Sequence, residues 1–273
     1  MTERPWSGWD SISPESLTEA AQELHWAVQF VAAAGQTFAA PRDDDSHRAM
    51  TWDPKQRAFV GSPFAGAYPF RVAVRPDDLA LLILDRVGGT LGPLLLEGHT
   101  RENGFDWLGL GVATYLGGAP PTLERPEWDM PDHSLKEGGR FGSAPMEARE
   151  AFTRLYGTAE LAIQRLLQRR DVEVDIRCWP HHFDLAALLP VATDSAGQAT
   201  KTVGVGFAPR GGGYDQWYLY VSPWPQPDVA SLPALTGPGC WHLEGWTGAV
   251  LTADAVAAIP PRTGLIMSTP SWT

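Results

Sequence analysis

TVGVGFAPRGGGYDQWYLYV, residues 202–221, reads as two strands and the turn that joins them. Thr202, Val203, Val205 and Phe207, and then Trp217, Tyr218, Tyr220 and Val221, are the β-branched and aromatic residues that strands favour. Gly211-Gly212-Gly213 lies between them and suits a turn that needs positive φ. Arg210 just before the glycines suggests a phosphate cradle, but Walker spacing and a following Lys-Ser/Thr are missing. A hairpin is therefore the better reading.

Working outward, 185–189 is a further strand, and 172–176 alternates polar and apolar residues as a half-buried strand does. Pro145 opens a helix with Phe152, Leu155, Ala159, Ala162, Ile163 and Leu166 on one face, and Thr252 caps a short last helix ending before Pro260-Pro261. Upstream, Ser13-Pro14 starts a helix, with Ser16 and Glu19 offering a rival capping box. Leu17, Ala20, Leu24, Ala27, Val28 and Val31 then recur at helical spacing, and Gly35 closes the segment. Strands are expected at 57–60, 68–74, 79–85 and 94–96, and Thr100 caps a helix through Phe105, Leu108, Val112 and Tyr115. The fold expected is α+β, a mostly antiparallel sheet with three or four helices.

The stretch 117–145 is rich in glycine and proline and has no period, so it reads as a long connection. It separates an α+β half at 1–120 from another at 145–273, with 121–144 between, the halves sharing one core. Leu96-Glu97-Gly98-His99-Thr100 echoes Leu243-Glu244-Gly245-Trp246-Thr247, and each half has a polar turn carrying Ser46-His47 or His181-His182. A duplication would explain both, with chance similarity as the alternative.

Composition narrows the function classes. The 273 residues are 44% hydrophobic and 19% charged, so the chain is globular. With 32 acidic and 21 basic residues the net charge is −11, which opposes nucleic acid and anionic membranes, and no basic cluster exceeds Arg169-Arg170. The first ten residues lack the order of a signal peptide, and the most apolar run, 79–84, is far too short for a bilayer. A cytoplasmic protein with a small-molecule ligand is expected. Cys178 and Cys240 allow one disulfide at most, and two buried inert thiols are the favoured reading.

At Trp179-Pro180-His181-His182-Phe183-Asp184-Leu185-Ala186 the sequence resembles a bacterial family of unassigned function. The resemblance extends to Asp44-Asp45-Ser46-His47, to Gly204-Val205-Gly206 ahead of Tyr214, and to Tyr220-Val221-Ser222-Pro223-Trp224-Pro225. It continues in Trp241-His242 and in Gly245-Trp246-Thr247-Gly248-Ala249-Val250. It spans most of the chain and implies no chemistry.

The densest set of ligand-type side chains runs from Cys178 to Asp184. If extended, it places His182 and Asp184 on one face. Imidazole and carboxylate together suit zinc, iron or manganese, so a divalent metal held by His182, Asp184 and either His47 or His242 is expected. Such a site would make the chain a metal-dependent hydrolase, with His181 or Asp45 as general base. Trp179, Tyr214, Trp217 and Trp241 are expected to wall a substrate pocket, with Tyr218, Tyr220, Trp224 and Trp246 nearby.

Two other classes compete. A non-heme iron oxygenase would use His182, Asp184 and His242, with Arg262 holding a keto acid. A non-catalytic small-molecule-binding or scaffold protein would bind through its tryptophans and use its histidines to organise loops. A closed zinc site from both cysteines, His181 and His242 is a weaker arrangement, and no Gly-x-Ser-x-Gly elbow supports a serine nucleophile.

Overall fold

The computed structural model describes residues 6–90, 92–197 and 199–259. Helices α1 (Pro14–Ala27) and α2 (Gln29–Phe38) adjoin at Val28. Strands β1 (Met50–Asp53), β2 (Ala58–Gly61), β3 (Phe70–Arg75), β4 (Ala80–Asp85) and β5 (Leu94–Leu95) follow, then α3 (Arg101–Leu116) and the long α4 (Met146–Arg170). The remaining elements are β6 (Arg177–Trp179), β7 (Asp184–Thr193), β8 (Ala199–Ala208), β9 (Tyr218–Trp224), β10 (Cys240–His242), β11 (Gly248–Thr252) and α5 (Ala253–Ala257). The class is α+β, and the strand pairs are antiparallel.

The chain forms two compact units that are not sequential halves. The N-unit is Ser11–Gly157 with Arg177–Phe183; the C-unit is Met1–Asp10, Thr158–Ile176 and Asp184–Thr273. The connection at 117–145 therefore belongs wholly to the N-unit, and it is pinned there: Pro131 O accepts from Trp26 Nε1 at 3.1 Å, and Glu124 N–H donates to Thr37 Oγ1 at 2.9 Å.

In the N-unit the strand order is β6-β1-β2-β3-β4-β5. Phe59 stands edge-on to Trp52, Tyr156 and Phe183, and Phe30 packs on Phe105 and Phe141. Small side chains, Ala58, Ala73 and Ala80, join Val60, Leu82 and Leu84 in a second buried cluster. α1 starts where Ser13 Oγ accepts from Ser16 N–H at 3.1 Å, so the rival box at Ser16 is not used. Thr100 and Asn103 form a reciprocal capping box on α3.

Glu23, fully buried in α1, accepts from Gly142 N–H at 2.5 Å and Ser143 N–H at 2.9 Å and pairs with buried Arg149 at 3.6 Å. This ion pair ties α1 to the start of α4. Its worth lies in being complete, since either charge alone would be stranded away from water.

In the C-unit the order is β7-β8-β9-β11-β10, and the Gly211–Gly213 turn between β8 and β9 has positive φ at all three glycines. One side of this sheet is apolar: Val203, Val205 and Phe207 alternate inward, and Trp217 packs on Phe207, Trp6 and Trp9.

Two expectations fail. Residues 172–176 alternate in exposure but pair with no strand; α4 ends at Asp171, whose φ of 53° turns the chain, and pairing begins only at β6, where Cys178 faces Met50. Gly35 does not end the helix, which runs to Phe38. A Cβ there would lie 2.5 Å from His47 O, so the glycine serves close packing of α2 on the 47–48 backbone. The echoed Leu-Glu-Gly segments do share a left-handed glycine, at Gly98 and Gly245, but Thr100 caps a helix while Thr247 leads into a strand.

Candidate functional site

The other side of the C-unit sheet carries the chemistry. Strand pairing puts Ala186 and Leu188 of β7, Gly204 and Gly206 of β8, Tyr218, Tyr220 and Ser222 of β9, and Gly248 and Val250 of β11 on one face. Cys240 and His242 of β10 join them. Glycine inside a strand weakens the strand, so its presence marks a close approach. Here the cause is visible. A Cβ on Gly206 would stand 2.5 Å from the Cζ and Oη of Tyr220, so the phenol ring lies flat across β8. That pose carries its hydroxyl to β7, where it donates to Asp184 Oδ2 at 2.5 Å.

Gly248 does the same for Trp246, whose ring a Cβ would meet at 2.3 Å. Trp246 stands at 77° to Tyr220, with centroids 6.2 Å apart, and stacks on His242 at 4.4 Å. Its Nε1–H donates to Gly212 O at 3.2 Å, which fastens the glycine turn beside the rings. Tyr220, Trp246, Asp184 and His242 are all half-buried, and Asp184 Oδ1 itself is sealed from solvent, so the rings and not the carboxylate form the accessible surface.

Tyr214 and His242 complete the margin. His242 Nε2–H donates to Glu244 O at 2.7 Å, which leaves Nδ1 as the acceptor for Tyr214 Oη at 3.1 Å. Burial raises the Tyr214 hydroxyl, with Cys240 adding to it, and burial followed by the Asp184 charge raises Tyr218 further. Both phenols stay protonated, and Tyr214 donates to His242 Nδ1. Trp217 and Trp241 do not join this face: Trp217 is buried with Trp6 and Trp9, and Trp241 donates to Pro233 O at 2.9 Å.

The N-unit holds the histidine-rich turn. His182 and Phe183 N–H groups both return to Trp179 O, and Phe183 sits at φ 57°, a left-handed conformation unusual for a bulky residue. It is held there because Tyr156 Oη donates to its carbonyl and its ring is sealed against His25, Phe59 and Tyr156. His25 Nε2–H donates to Pro180 O at 2.9 Å, and Gln29 Nε2 donates to the same oxygen at 2.8 Å. Burial lowers the His25 pKa to about 4. His181 lies among Trp128, Trp179 and His182, and burial, then His182, lowers it to about 4 as well. Arg48 engages the Asp45 carboxylate and lies over Trp128.

The expected metal set does not assemble. Among the described residues no group of three His, Cys, Asp or Glu side chains is placed to hold a metal ion. His47 and His182 belong to the N-unit, Asp184 and His242 to the C-unit. His47 Nδ1 accepts from Arg42 N–H at 3.2 Å, both ring nitrogens of His242 are bonded, and His182 is exposed at the turn. The turn is the physical reason. An extended strand would align His182 with Asp184, whereas a left-handed Phe183 between them breaks the alternation. Of the expected general bases, His181 has its pKa lowered to about 4 by burial and then by His182, and Asp45 pairs with Arg48. No disulfide joins buried Cys178 to exposed Cys240, and Arg262 lies outside the described residues.

His25, Trp128, Gly206 and Gly248 escaped sequence reasoning. Only the glycines left a signal, since Gly204-x-Gly206 inside a strand marks a side chain passing over it. Comparison with protein-family models, characterised proteins and solved structures finds no match for this chain. No helix among the described residues is long and apolar enough to cross a membrane.

Proposed function

We propose that this chain is a small-molecule-binding protein whose ligand sits on the tyrosine and tryptophan face of the C-unit sheet. One observation carries the reading: Tyr220 lies flat on Gly206 with its hydroxyl on Asp184, and Trp246 stands nearly perpendicular beside it. Binding sites combine aromatic walls with a few fixed polar groups, and both are held here before any ligand arrives. The adjoining Leu188, 59% exposed, continues the apolar margin.

A ligand-observed NMR screen of water-soluble organic molecules tests this, run on wild type and on a Tyr220→Ala, Trp246→Ala variant. Hits lost in the variant support the reading. An absence of hits, or hits that survive the double substitution, overturns it.

A further inference from the structure

We infer that the Tyr220–Trp246 corner takes a small organic ammonium ion, held on the two ring faces with the Asp184 carboxylate, behind the Tyr220 hydroxyl, as counter-charge. This rests on the small-molecule reading above and adds the ligand's chemical class.

The aromatic geometry comes first. A cation is attracted to the face of an aromatic ring, and two rings meeting at a steep angle can contact one ammonium group together. Tyr220 offers one π-face outward because the other rests on the β8 backbone at Gly206. Trp246, the stronger cation binder of the two residue types, meets it at 77°. Neither ring needs to move, since each is seated on glycine and tied by a hydrogen bond.

Charge points the same way. The Tyr220 phenol donates to a carboxylate at 2.5 Å, which pushes electron density into the ring and strengthens its hold on a cation. The residues that β7 through Pro190, β8, β9, β11 and β10 turn to this face include Asp184 and no lysine or arginine. Burial, and after it the Asp184 charge, raises the Tyr218 hydroxyl on the same face. The net charge of −11 favours the approach of cations from solution. An anion would be opposed by the Asp184 carboxylate and by the negative faces of the rings.

Choline and its carbon isostere 3,3-dimethylbutan-1-ol have the same shape and differ in charge, so they isolate the claim. Titrated calorimetrically into the intact chain, choline is expected to bind about tenfold more tightly than the alcohol, the scale of one desolvated cation–π contact. Asp184→Asn keeps an acceptor for Tyr220 and removes the charge, so it should weaken choline about tenfold more than it weakens the alcohol. Trp246→Leu should abolish the preference, with melting curves showing that each variant is folded.

Equal binding of the two probes, or no loss in Asp184→Asn, overturns the cation assignment while leaving the binding face intact. If neither probe binds, the cation assignment falls, and the NMR screen then shows whether the binding face falls with it.

Discussion

Gly206 and Tyr220 are paired across β8 and β9 in the relation of seat and occupant: a single methyl group at 206 would overlap the phenol oxygen. Gly206→Ala should therefore lift Tyr220 off the sheet and detach it from Asp184. We expect a loss of about 1–3 kcal/mol in urea unfolding, typical of overpacking, together with loss of ligand signals in the NMR screen. An unchanged stability would mean that the ring has another low-energy position.

The Glu23–Arg149 pair should behave as a unit. Glu23→Leu strands the Arg149 guanidinium in the N-unit core and should cost about 3–5 kcal/mol. Adding Arg149→Met should recover much of that loss, because no charge is then left buried. A double-mutant cycle in chemical denaturation measures the coupling, and simple additivity would contradict it.

Acid should destabilise the protein between about pH 6.5 and pH 4 through its buried imidazoles. His25 has a folded-state pKa of about 4, below its ordinary 6.5, so the unfolded chain binds the proton more readily. Stability is then fully present above about pH 6.5 and declines as pH falls towards 4, by roughly 3 kcal/mol for a buried group with this shift. His181, less enclosed, adds to the same window in the same direction. His25→Gln should flatten Tm against pH between 6.5 and 4; a profile as steep as that of wild type would refute the assignment.

Metal should have little effect on the folded state. With His242 bonded through both nitrogens and His47 engaged by Arg42 N–H, neither imidazole is poised as a ligand. Dialysis against a chelator should leave Tm unchanged, and titrated zinc should give no saturable rise. A stoichiometric rise abolished by His182→Ala would restore the metal reading.

Local signals in the sequence determined much of the secondary structure. Ser13-Pro14, Thr100 and Thr252 each cap the helix that they announce, because capping depends on neighbours within one turn. The Gly211–Gly213 turn and its flanking strands are legible for the same reason. Tertiary structure alone decided the rest. Gly35 ends a helix by local rules, yet it faces His47 O across the fold. The 172–176 segment has a strand's alternation but no partner to pair with, and pairing is a long-range property. The histidines clustered in sequence, and the aromatic face instead gathered Asp184, Tyr220, His242 and Trp246 across four strands' worth of chain. Side chains far apart in sequence meet only through strand register. That register is set by packing over the whole sheet, which no short stretch of sequence contains.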